Sequence, residues 1–178
     1  ELDPAQPEAL LGQARLALRS GDRDAARSQL QQMLQSNPKL PDAWALLARI
    51  DLQIQDTDGA EAAFARAIEL APVDFRYRIE RALARIERED YDAAQADIEH
   101  LRMEHAGQPA VAYLAGRVAF HTGRFDLAYE QLMQAQGVPA FKRELPFYLG
   151  ASALAIGNAE QALDLLETFV ANDPGSEN

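Results

Sequence analysis

The sequence predicts an all-α solenoid of antiparallel helix pairs, and three observations carry that prediction. A pattern of small, aromatic and aliphatic residues closing on proline returns at a fixed interval along the chain. Ala26, Ala60, Ala94, Ala128 and Ala162 all stand at one position of that period and set its length. Pro38, Pro72 and Pro174 share another, with Pro4 in register at the start. A fixed period of this length marks a chain of stacked supersecondary units, each too small to bury a core alone.

Five tandem units follow without insertion: 7–40, 41–74, 75–108, 109–142 and 143–176. Glu1-Leu2-Asp3-Pro4 fits the end of such a unit, so residues 1–6 read as the tail of a preceding one. With no initiating methionine and no polar capping helix after Pro174, the chain reads as a fragment of a longer array.

Each unit reads as an A helix over positions 2–14 and a B helix over positions 18–31. Gly21, Gly123 and Gly157 fall at one turn position, where glycine removes the steric cost of a left-handed helix end. Asp22, Asp92 and Asp126 lie at or near these turns and are expected to cap B helices, accepting from backbone donors that the first turn leaves unpaired. The periodic alanines let two helix axes approach closely, and Trp44, Phe64, Phe125 and Leu132 are expected in the core.

Two units depart from the pattern. In the third, Arg78, Arg81 and Arg85 take the large A-helix positions, while Phe75, Ile79, Ala82 and Ile86 form an apolar stripe. The expectation is an A helix rotated about its axis, its arginines solvated and paired with Glu80, Glu87 and Glu89. At the junction of the fourth and fifth units, Gly137, Pro139 and Pro146 predict a B helix that ends early and an A helix with proline in its first turn.

Composition narrows the function classes. Apolar residues make up 48% of the 178, charged residues 25%, and the formal net charge is −11. That charge disfavours nucleic acid, whose phosphates require clustered Lys and Arg, and adsorption to anionic lipid. No apolar run approaches the ~20 residues that cross a bilayer, so direct membrane insertion is not expected. The absence of cysteine excludes disulfides, thiolate catalysis and cysteine metal sites.

No catalytic constellation emerges. His100, His105 and His121 lack the i,i+4 spacing that aims two imidazoles at one metal. Asp56-Thr57-Asp58-Gly59 begins like a calcium loop, but Glu61 stands where the turn glycine belongs and Ala67 where the bidentate acid belongs. Phosphate-cradling glycine motifs and a GxSxG elbow are absent. Asp97 and Glu99 are expected on a solvated helix flank. Neither a catalytic, a metal nor a cofactor site is therefore predicted.

The clearest unit, with Trp44, Leu47, Ala48, Ala60, Phe64, Ala67 and Pro72, resembles the tetratricopeptide repeat signature position for position. The resemblance runs through all five units and implies a right-handed superhelix that binds protein without catalysing a reaction. In that family the A helices line a concave groove, with partner contacts at A-helix positions 2, 5, 9, 12 and 13. Carried onto this chain, the ninth position holds Arg15, Arg49 and Arg117, a wall suited to acidic segments or a chain terminus. The apolar contact positions are Ile79, Leu83, Ile86, Tyr113, Phe120, Phe147 and Leu154, which would anchor a peptide or amphipathic helix.

A narrower resemblance rests on Ala112-Tyr113-Leu114-Ala115, Ala119-Phe120, Gly123-Arg124-Phe125 and Leu145-Pro146 through Leu149-Gly150. This stretch is similar to repeat lipoproteins of bacterial exopolysaccharide and exosortase (PEP-CTERM) systems. It implies an anchored periplasmic or envelope scaffold. Two alternatives stay open: a structural spacer that self-associates through Leu163, Leu166 and Phe169 of its last helix, and a cytoplasmic chaperone or adaptor using the same groove.

Overall fold

The computed structural model describes residues 5–172, with side chains described from Leu11 onward. Pro4, with the start of the expected preceding-unit tail, and Pro174 lie outside the described residues. Ten α-helices and one 3-10 turn make up the regular structure, and no strand occurs among the described residues. The helices are α1 (Ala5–Arg19), α2 (Arg23–Ser36), α3 (Pro41–Gln53), α4 (Thr57–Leu70), α5 (Phe75–Glu87), α6 (Tyr91–His105), α7 (Pro109–His121), α8 (Phe125–Met133), α9 (Leu145–Ala155) and α10 (Ala159–Ala171). The fold is the expected all-α solenoid of helix pairs, and none of the described helices is long and apolar enough to cross a membrane.

One device closes all five A helices. Gly21, Gln55, Glu89, Gly123 and Gly157, which share one repeat position, have φ of 84°, 64°, 62°, 75° and 89°. The amide that follows each one reaches back into the helix: Asp22 to Ala17 O, Asp56 to Asp51 O, Asp90 to Arg85 O, Arg124 to Ala119 O and Asn158 to Ala153 O, at 2.8–3.0 Å. This Schellman geometry satisfies carbonyls that the last turn would otherwise leave open. Two of the five places are filled by residues with a Cβ, so the turn does not require glycine.

Of the expected B-helix caps, Asp22 is found and Asp92 and Asp126 are not. Asp22, Asp56 and Asp90, at one repeat position, accept from the amides of Ala25, Gly59 and Ala93 at 3.0–3.2 Å. Asp92 and Asp126 lie inside the first turns of α6 and α8 as exposed acids, where they favour the positive helix end without capping it.

Close approach within the helix pairs depends on residues without bulk. Ala26, Ala60, Ala94, Ala128 and Ala162 are buried, as are Ala14, Ala48 and Ala82 on the facing A helices. At the next equivalent places a Cβ on Gly116 would stand 2.5 Å from Leu132 Cγ, and one on Gly150 would stand 2.8 Å from Leu166 Cγ.

The chain divides into two compact units, one running to Arg78 and the other from Ile79, with the boundary inside α5. In the first, Ala45, Ala67 and Tyr77 form a core patch with Trp44, Ile68 and Ala71 packed against it. Phe64 is buried, the Trp44 indole donates to Pro38 O at 2.8 Å, and the Tyr77 hydroxyl donates to Asp42 at 2.7 Å. Arg27 bridges the buried Asp51, at 2.6 Å, and Asp56. Burial pushes the Asp51 carboxyl up, and Arg27 pulls it partly back.

In the second unit the predicted rotation of α5 does not occur. Arg81 and Arg85, at the usual large positions, face Asp97 of α6, and Ala82 is buried at the place held by Ala48 on α3, so the helix keeps the common register. Arg81 and Arg85 turn inward instead of into solvent: Arg81 donates to both Asp97 oxygens at 2.9 and 2.6 Å, and Arg85 donates to Asp97 at 2.8 Å and to Ala93 O at 3.0 Å. Asp97 is 2% exposed, which corrects the solvated flank expected for it. A carboxylate clasped by two guanidinium groups replaces the usual apolar contact of a helix pair.

The early stop of α8 at Met133 and the proline in the first turn of α9 match the sequence expectation. The shortened helix opens an apolar cavity of about 430 Å3 lined by Val138, Pro139, Leu145, Leu149 and Leu165, with Lys142 on its wall. Beside it, Tyr113, Leu132, Leu145 and Leu149 anchor the core of this unit.

Candidate functional site: an aromatic face on α7 and α9

α7 supplies the floor of the site. Val111 through Ala119 are all buried, a run that marks a helix covered on nearly every side. Tyr113, Arg117 and Phe120 follow one another at helical spacing and share one stripe of it. α9 brings Phe147 and Tyr148 to the same stripe, and the 3-10 turn brings Phe141.

The rings interlock. Phe120 meets His121, Phe125, Phe147 and Tyr148 edge-on with centroids 5.2–6.2 Å apart. Tyr113 stacks on Phe141 at 4.1 Å, His121 stacks on Tyr91 at 5.4 Å, and Phe147 touches Phe169 of α10 at 5.3 Å. Such offset and edge arrangements add to plain burial because ring edges and faces carry opposite charge.

Arg117 lies at the centre of this framework. Its guanidinium sits 5.1 Å from the Tyr148 centroid and 5.8 Å from that of Tyr113, and it donates to Glu87 at 2.7 Å. The residue is 5% exposed, and its Nε is buried without a hydrogen-bond partner. Burial works against the charge, but the Glu87 bond and the tyrosines outweigh it and hold the pKa above the ordinary value. The Tyr113 hydroxyl donates to Glu144 at 3.0 Å. Burial, followed by Arg117, lowers the His121 pKa.

The predicted contact residues separate into three groups. Phe147 and Leu154 are exposed, at 38% and 58%, and Phe120 is half-buried beside Phe147. Ile79 and Leu83 are half-buried, the latter packed on the core patch of Tyr113. Ile86 and Tyr113 are 2% and 3% exposed, which corrects their assignment: both belong to the core, out of a partner's reach. The arginine wall is corrected in the same way at Arg117, whose charge is enclosed and paired. Arg15 and Arg49 are exposed in the first unit, where Arg49 Nε lies 3.4 Å from Ala45 O of its own helix.

Tyr148, Glu87, His121 and Glu144 were not selected from the sequence. The signal was present for three of them: Glu144 stands at the second A-helix position, and Glu87 and His121 stand at the thirteenth. Tyr148 lies at none of the contact positions and is brought in only by packing.

Family models described as tetratricopeptide repeat match residues 17–86, 79–140 and 147–176. The chain belongs to the tetratricopeptide repeat family. Among solved structures, it is similar to MamA 41-end from Desulfovibrio magneticus RS-1, with a TM-score of 0.76 at 13% identity over 97% of each chain. Pseudomonas aeruginosa pilF superposes with a TM-score of 0.82 at 15% identity, covering 94% of this chain and 76% of that one. TTC0263, a thermophilic tetratricopeptide protein of Thermus thermophilus, gives 0.71 at 19% identity, over 95% and 92%. Identities this low speak for the tetratricopeptide fold alone. No curated protein sequence matches the chain.

Proposed function

We propose that this tetratricopeptide array is a non-enzymatic scaffold that grips a protein partner on the α7–α9 aromatic face. The observation that carries the reading is Phe147, which stands exposed on a framework of rings that fixes its position. A pre-positioned aromatic loses little rotamer freedom on binding, and this is the usual chemistry of an interface anchor. Leu154, two turns further along α9, extends the contact. The likeness of residues 112–125 and 145–150 to envelope repeat lipoproteins supports extending the proposal to a periplasmic assembly for exopolysaccharide export or surface sorting.

The test is capture from an envelope extract by wild type and by Phe147→Ala with Leu154→Ser. Expected is a protein retained by wild type and weakened at least about tenfold with the variant. Equal retention by a variant with unchanged circular dichroism would remove this face from the function.

A second reading has its own observation. Leu163 and Val170 on α10 are 59% and 57% exposed, which supports self-association through that helix. Light scattering of wild type against Leu163→Glu with Val170→Glu tests it, and a monomeric wild type would end it.

A further inference from the structure

The arginines at the ninth A-helix position suggested an acidic partner, but the charges around the aromatic face have the opposite sign. Arg117 is enclosed between two tyrosines and paired with Glu87. Around the same rings, Glu87 keeps a side chain 64% exposed, and Glu89 and Glu144 are exposed as well. The charges that act most strongly on Tyr91, Tyr113, His121 and Tyr148 are those of Glu87, Glu89, Glu144 and Arg117. Among the charges that act on these rings, three exposed carboxylates stand against one buried guanidinium. The chain as a whole carries −11, so its long-range field points the same way.

We infer that the α7–α9 face recognises a basic segment of a partner protein, with apolar side chains set against Phe120 and Phe147 and Lys or Arg set against Glu89 and Glu144. The inference rests on the proposed use of this face and adds the partner's charge. Two features favour a cationic occupant over an acidic or neutral one. An acidic segment would bring like charge to within a few ångströms of three carboxylates, and the enclosed Arg117 has no free face to offer it. A cationic one would meet those carboxylates with opposite charge.

The probe is a random peptide library displayed on phage and selected on wild type, with Phe147→Ala as counter-selection. Peptides that require Phe147 are then synthesised and titrated against wild type and against Glu89→Gln with Glu144→Gln. Gln occupies the same left-handed turn at position 55, so Glu89→Gln is backbone-neutral, and Gln at 144 can still accept from the Tyr113 hydroxyl. The inference expects Phe147-dependent peptides rich in Lys and Arg, weakened about fivefold by the double variant and weakened further by added salt. Phe147-dependent peptides that are neutral or acidic, or basic ones indifferent to the double variant, would overturn the charge assignment while leaving the face in use. Absence of any Phe147-dependent peptide would overturn both.

Discussion

Asp51 and Arg85 are separated by one repeat, occupy the same place on α3 and α5, and carry opposite charge. Each is held by a countercharge from a B helix, Asp51 by Arg27 on α2 of the preceding repeat at 2.6 Å, and Arg85 by Asp97 on α6 of its own repeat at 2.8 Å. A place that repeat architecture fills with an apolar or aromatic side chain can thus hold an ion if the partner arrives with it.

The first prediction concerns Asp97. Its removal in Asp97→Ala leaves Arg81 and Arg85 facing each other, 14% and 15% exposed, without a carboxylate between them. Chemical denaturation should show a loss of about 3–5 kcal/mol. The triple variant Asp97→Leu, Arg81→Met, Arg85→Met should return to within about 1–2 kcal/mol of wild type, because apolar packing can replace a buried ionic group. A triple variant as unstable as Asp97→Ala would locate the loss in backbone fit instead of charge.

The close approach of α7 and α8 supplies the second. Gly116→Ala puts a methyl group 2.5 Å from Leu132 Cγ and should cost about 1–3 kcal/mol. In Leu132→Val the cost of adding that methyl should shrink, giving a measurable coupling in a double-mutant cycle. Ala60→Leu and Ala128→Leu should overpack to a similar extent, since both alanines are almost wholly buried.

Gln55 and Glu89 carry a steric cost that Gly21, Gly123 and Gly157 avoid. Gln55→Gly and Glu89→Gly should each stabilise the fold by up to about 1 kcal/mol, the gain from relieving a left-handed residue less the added freedom of the unfolded chain. Urea titration of the single variants decides it. A destabilised pair would mean that the side chains at 55 and 89 make contacts that outweigh the strain.

A pH dependence follows from His121. Its pKa in the folded chain lies below the unfolded value of about 6.5, so the unfolded chain binds the proton more readily. The stability tied to neutral His121 is fully present above that value and is lost as pH falls toward the depressed folded pKa. His121→Phe, which keeps a ring against Tyr91, should show less acid loss between about pH 6.5 and 5 than wild type in paired melting curves. Parallel curves would rule out the histidine as the source.

The repeat period determined a great deal without coordinates. It set the fold class, the buried alanines, the early end of α8 and three of the five left-handed turns, because each follows from local chemistry repeated in register: small residues at a helix crossing, glycine at positive φ, proline at a helix end. The other two turns, at Gln55 and Glu89, lack the glycine that announces a left-handed residue, although the same backbone bonds from Asp56 and Asp90 close them.

What only the tertiary structure decided is where charge goes. Arg81, Arg85 and Arg117 are indistinguishable in sequence from solvated arginines, and Asp51 and Asp97 from solvated acids, because a long polar side chain on a helix face can point to water or to a countercharge equally well. The choice depends on whether a partner of opposite sign stands within reach on another helix, as Asp97 does for Arg81 and Glu87 does for Arg117. No helical period encodes that meeting. It arises when the helices pack, and in this protein it enclosed the cation expected to meet a partner and left carboxylates exposed in its place.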